Sequence, residues 1–181
     1  SIMSDADKAL FKSWVEAETP LGEPGPPDRQ GGPNRPEFVP THSARAAEPY
    51  LPNGEWTDDY RCLPLDLVID EDVYLTGSRV VPDQADMVHH VLLYAIPPER
   101  SSLLDILDAR DPGAGYTCFG GSELGPPNPI GAWVPGMAPL IIENDAAIHL
   151  AAGSRIVMQI HYNLLSQEPR PDHTEWQPRL Q

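Results

Sequence analysis

"MVHHVLLYAI" (Met87–Ile96) and "RIVMQIHYN" (Arg155–Asn163) decide how this chain is read. Both are short, rich in Val, Ile, Leu and Tyr, and free of Gly and Pro, so both read as β-strands. In the second, Ile156, Met158 and Ile160 fall on one face, and Val157, Gln159 and His161 on the other. Each stretch places imidazole where a hydrophobe would pack better: His89 and His90 side by side in the first, His161 in the second. A buried polar group left without a partner costs about 1–3 kcal/mol. These rings therefore need ordinary hydrogen bonds or a metal ion.

Working outward, the same character recurs at residues 61–70, 72–81, 131–136, 140–143 and 147–153, in short apolar runs bounded by Pro, Gly, Asp and Asn. Between the strands, "SSLLDILDARD" (101–111) carries Leu103, Leu104 and Leu107 at helical spacing, with Ser101 or Ser102 as a cap. Seven strands and one short crossover helix predict an all-β fold, an antiparallel β-sandwich of jelly-roll-like form. Residues 57–165 form its domain.

Upstream lies a different kind of sequence. "SDADKALFKSWVEA" (4–17) reads as an N-terminal helix within residues 1–18, with Ser4 as cap and Asp5 and Asp7 in the first turn. Leu10, Phe11, Trp14 and Val15 make its apolar stripe. A helix this short is not stable alone and needs a surface to dock on. Residues 20–40 hold seven Pro and four Gly, so 19–56 reads as a linker. Residues 166–181 read as a tail, or as the start of a linker to a second domain.

The formal charge is −15 over 181 residues. That argues against nucleic acid and anionic membrane surfaces as partners, since both need a basic patch. No apolar run approaches a membrane span of about 18 residues. No secretory leader is visible and the chain does not begin with Met, so it reads as a mature or trimmed form. The cluster "DED" at 70–72 lacks the spacing and glycine of a calcium loop and reads as a solvated turn.

Cys62 and Cys118 are the only cysteines. They are two buried thiols or one disulfide. A bridge closing a loop of about 60 residues contributes roughly 4 kcal/mol in the chain-entropy account.

Of six histidines, His42 and His173 lie in polar, Pro-flanked segments and read as exposed. His149, alone in a short apolar strand, reads as a core or hydrogen-bonded residue. His89, His90 and His161 are the candidates for a shared site. Three neutral imidazoles with no thiolate or carboxylate suit copper or zinc. One obstacle is geometric: neighbours on a regular strand point to opposite faces, so His89 and His90 need a bulge or strong twist to reach one ion.

The order of motifs adds to this. "YRCLPLD", "DMVHHVLLYAI", "YTCFGG" and "GAWVPGMAPLIIENDAAIHLAAGSRIVMQIHYN" follow one another over residues 57–165. This order resembles the N-terminal, first-copper domain of the copper type II, ascorbate-dependent monooxygenases, the peptidylglycine alpha-hydroxylating and dopamine beta-monooxygenase family, in a bacterial-type form. The first 40 residues do not match it. The resemblance implies copper held by His89, His90 and His161, a strand distorted enough to allow it, and a Cys62–Cys118 disulfide. The disulfide in turn implies an oxidising compartment, secreted or periplasmic. Gln159, the "GAW" segment and backbone carbonyls are candidate partners for the ring nitrogens not on the metal, and Trp133 and Tyr162 are core aromatics or neighbours of the site.

In that family the first copper passes an electron to a second, oxygen-activating copper held by a His-x-His pair and a Met in another domain. This sequence contains no His-x-His. The expectation is therefore an electron-transfer domain of a two-copper monooxygenase that hydroxylates C–H bonds, with no catalytic residue of its own. Its partners are a second copper domain and an ascorbate-like reductant. Two rivals stand beside it: a non-catalytic copper-binding or copper-carrier module, and a sandwich whose histidines are only hydrogen-bonded.

Overall fold

A computed structural model describes residues 4–20, 37–125, 129–143, 146–165 and 167–181. The chain divides into two units, Ser1–Glu37 and Phe38–Gln181. The first contributes helix α1 (Asp5–Glu16). Its start follows from the sequence: Ser4 Oγ accepts from the Asp7 N–H at 3.1 Å, and the Asp7 carboxylate accepts from the Ser4 N–H at 3.3 Å. No residue of α1 is buried.

The second unit is β1 (Asp58–Val68), β2 (Val73–Val81), β3 (Val88–Ile96), α2 (Ser101–Arg110), β4 (Tyr116–Thr117), β5 (Pro129–Trp133), β6 (Leu140–Ile141), β7 (Ile148–Leu150), β8 (Arg155–Asn163) and β9 (Glu175–Leu180). One sheet runs β4-β1-β8-β3-β5, antiparallel throughout. In the other, β2 pairs with β6, β7 and β9, again antiparallel. The fold is an all-β, sandwich-like arrangement of antiparallel sheets.

The central strand β8 shows why. Ile156, Met158, Ile160 and Tyr162 join Leu63, Val91 and Leu93 of their own sheet and Leu75, Leu150 and Trp176 of the other in one core. Burying each such side chain contributes about 1.5–3 kcal/mol. Val157, on the opposite face, joins a second cluster with Cys62, Tyr94, Leu104, Cys118 and Leu124. Helix α2 covers that face through Leu104, which is fully buried, while Leu103 is exposed. The α2 cap position is Arg100, with no side-chain cap bond, so neither Ser101 nor Ser102 caps it.

Two boundaries differ from the sequence reading. Residues 38–56, expected as linker, run along the sandwich: Ala44 bridges to Trp176, Ala46 to Leu65 and Tyr50 to Asp172. Residues 21–36 of that segment lie outside the described residues. The expected tail contains β9, whose Trp176 is fully buried and donates its indole N–H to Ser78 Oγ at 2.7 Å. Pro178 and the polar neighbours Gln177 and Arg179 hide the alternation of this strand. Pro178 has no N–H to donate, and its carbonyl accepts from the Thr41 N–H at 2.9 Å.

Candidate metal centre

The site begins with register. On β8, His161 stands opposite Tyr60 of β1 on one side and opposite His90 of β3 on the other. Tyr60, His161 and His90 therefore form one row across three strands, on the face away from the main core. Between Val88 and His90 the β3–β8 register slips: Val88 pairs with Tyr162 and His90 with His161, two steps on β3 against one on β8. His89 is the extra residue of a β-bulge. The bulge turns it toward the face its neighbour already occupies, which removes the geometric obstacle.

The three rings converge. The His89 and His90 Nδ1 atoms are 3.3 Å apart, and so are those of His90 and His161. One ligand atom from each of the three lies within 4.8 Å of the others. Two nitrogens bound at about 2.0 Å to one tetrahedral ion are about 3.3 Å apart. Two of the three pairs already have that separation, and His89, which is exposed, has the freest ring to adjust. Among the described residues this is the one cluster of three or more His, Cys, Asp or Glu side chains with metal-site spacing.

Burial is graded: His89 is exposed, His90 half-buried and His161 only 6% exposed. The sequence reading placed the pair inside the core, yet only His161 is truly enclosed. Burial, followed by the neighbouring His161 and His89 imidazoles, holds the His90 pKa below the ordinary value. That favours the neutral ring, whose lone pair a metal needs.

The partner of the other His161 nitrogen is Asp58, which lies 2.8 Å from Nε2. That hydrogen bond, and then one from Thr57, keeps the Asp58 carboxyl below its ordinary range. Tyr60 lies flat against the His161 ring, centroids 4.2 Å apart and planes 4° from parallel. Phe119 meets Tyr60 edge-on at 5.0 Å.

None of the expected ring partners, Gln159, the "GAW" segment or a backbone carbonyl, is bonded to these rings among the described residues, while Tyr162 and Trp133 take the place read for them as core aromatics. Gln159 donates to Gly121 O at 2.9 Å and approaches Cys118 Sγ at 3.4 Å. Tyr162 is buried on the other face and donates its hydroxyl to Asp172 at 3.0 Å. Trp133 packs against the main core. Asp58 went unread because it sits among many acids that look solvated, and only the β1–β8 register brings it to His161.

Cys62 and Cys118 form a disulfide with Cα atoms 5.9 Å apart. Buried Arg61 helps set the loop it closes, donating to Ala114 O at 2.7 Å, Gly115 O at 2.7 Å and Asp111 Oδ1 at 2.8 Å. The remaining histidines stay outside the cluster. His42 is exposed, and so is His149, which lies outside the core and 3.5 Å from the Asp72 carboxylate. His173, expected exposed, is half-buried, with Nε2 bonded to Ala46 O at 2.8 Å.

No protein-family model matches the chain, and no curated protein matches it either. Among the described residues no helix is long and apolar enough to cross a membrane.

Proposed function

We propose that this chain is a mononuclear copper-binding, electron-transfer domain, holding the ion through His89, His90 and His161. The observation that carries the reading is the convergence of three imidazole nitrogens, two pairs at 3.3 Å, with no thiolate or carboxylate among them. Bound there, copper supplies one-electron chemistry between Cu(II) and Cu(I), and a small all-imidazole set suits the reduced ion, which accepts few ligands.

The chain's own residues do the rest. The bulge at His89 orients adjacent rings to one point. The strand row Tyr60–His161–His90 fixes two of the three rings by backbone register rather than by flexible loops. Burial on the His161 side excludes water there, while the exposed His89 side leaves the site open to exchange electrons with a partner.

The motif resemblance extends the proposal. In it, this domain serves a two-copper monooxygenase that hydroxylates C–H bonds. A second copper domain carries the chemistry, an ascorbate-like reductant supplies electrons, and the Cys62–Cys118 bridge fits a secreted or periplasmic setting.

The exposure of His89 favours one second reading, a copper carrier that hands over its ion through that open side. Transfer of bound copper to a competing chelator separates the two: a carrier releases it within seconds, and a resident electron-transfer site does not.

The test is titration of the metal-free protein with Cu(II) and, separately, Zn(II). One equivalent of copper with a type 2 paramagnetic signal, reducible by ascorbate and lost in His161→Ala, is the expected result. Binding of zinc alone, or a copper signal unchanged in His161→Ala, defeats the proposal.

A further inference from the structure

We infer that one face of β1 tunes this site: Asp58 and Tyr60 together clamp the His161 ring, fix its tautomer, and bias a bound ion toward its more charged state. The inference rests on the copper reading above and adds two positioning residues to it.

The clamp follows from strand periodicity. Asp58 and Tyr60 are two apart on β1, so their side chains leave the same face. Tyr60 stands directly opposite His161 and Asp58 opposite Asn163, which brings the carboxylate to the far edge of the ring. His161 is thereby held on three sides: Nε2 on Asp58, one ring face on Tyr60, and Nδ1 toward His90. Phe119, beside the disulfide-bonded Cys118, backs Tyr60 from outside.

The chemistry follows from the donor inventory. A neutral imidazole carries one N–H, and an ionised carboxylate can only accept. Nε2 must therefore carry the proton and Nδ1 keep the lone pair, which is the tautomer a metal at Nδ1 requires. A carboxylate bonded to the remote N–H also makes the ligand more basic. The electron-rich face of the phenol ring attracts a ring that grows more positive as the ion's charge rises. Both effects stabilise Cu(II) more than Cu(I), so both lower the potential.

His89 and His90 lack any such clamp. Among the described residues, their ring hydrogen bonds run only to other imidazoles. The three ligands are thus unequal, and His161 is the one through which the protein sets the ion's electronic character.

The test uses the full chain with four substitutions. Asp58→Asn keeps an acceptor and removes the charge, and Asp58→Ala removes both. Tyr60→Phe keeps the stacked ring, and Tyr60→Leu removes it. In the copper-loaded protein, Asp58→Asn and Tyr60→Leu should each weaken Cu(II) relative to Cu(I), by about tenfold for Asp58→Asn. That tenfold is an upward move of about 59 mV in midpoint potential for one electron. Tyr60→Phe should match the parent. In the metal-free protein, nitrogen-15 NMR should find His161 protonated at Nε2, and a mixture of tautomers in Asp58→Ala.

Failure of the parent to load copper defeats the reading beneath the inference. Copper loading with unmoved potentials in both Asp58→Asn and Tyr60→Leu defeats the clamp alone. So does an Nδ1-protonated His161 in the metal-free parent, whatever the metal result. If Tyr60→Leu does not fold, Asp58→Asn decides, since Asp58 is half-exposed and contributes to no core.

Discussion

His90 and His161 face each other across the β3–β8 ladder with their Nδ1 atoms 3.3 Å apart. Their separation is set by backbone pairing in the middle of a sheet, whereas His89 depends on a bulge at its edge of the site. Loss of a mere ring partner at a metal site costs 10–100-fold in affinity, so loss of a direct ligand should exceed roughly 100-fold. His90→Ala and His161→Ala are each expected to pass that mark in competition titrations. His89→Ala should weaken binding less, because its exposed position can be taken by water. Equal losses at all three positions would contradict this ranking.

The Cys62–Cys118 bridge ties β1 to the segment after β4 and lies in the cluster beneath α2. Replacing both cysteines with Ala should cost about 2–4 kcal/mol, the usual contribution of a disulfide. At roughly 2–4 °C per kcal/mol for a chain of this size, thermal unfolding should begin well below that of the parent. Phe119 follows Cys118 directly and should lose its fixed place on Tyr60. Unchanged unfolding on reduction would mean the bridge constrains nothing the sheets do not already hold.

Much of this was legible in the residues, for reasons that are themselves physical. The alternation in β8 announced two faces because two different cores bury them: Ile156, Met158 and Ile160 in one, Val157 in the other. The histidines stood out because imidazole is costly in such strands. A shared site demanded a bulge or strong twist at His89–His90, but "MVHHV" contains no Gly and no turn residue to announce one, and only the β8 partner strand settles the register. Asp58 was hidden for the same reason. In sequence it is one acid among many, and its role exists only once β1 is aligned with β8. The pair His89–His90 looked buried because its flanks are apolar, but the bulge sends His89 outward.

Strand β9 is the largest element that the sequence concealed, and its contribution is open to measurement. Trp176 is fully buried and its indole N–H is bonded to Ser78. Trp176→Ala should destabilise the protein by about 3–5 kcal/mol, from lost burial and the cavity left behind. Trp176→Phe should cost less but leave Ser78 Oγ without its donor. Urea unfolding of both variants checks this. A Trp176→Ala cost below about 0.5 kcal/mol, the size of an ordinary surface change, would return residues 175–180 to the status of a tail.

The same strand carries the clearest acid-dependent group. Glu175 accepts from Gln177, from Ser43 Oγ at 2.7 Å and from Arg45 Nε at 3.0 Å. These bonds, that of Gln177 first, hold its pKa at about 2 against an ordinary 4.5, with burial opposing them. Because the folded value is the lower one, the carboxylate's stabilisation is fully present above about 4.5 and is lost as pH falls toward about 2. Glu175→Gln should therefore be less stable than the parent at neutral pH, by an amount that shrinks through this window and vanishes at its acid end. Urea midpoints taken from pH 6 downward measure that difference. A gap between the two proteins that stays constant from neutral pH to about pH 2 would show that the loss comes from packing, and that the charge of Glu175 holds nothing in place.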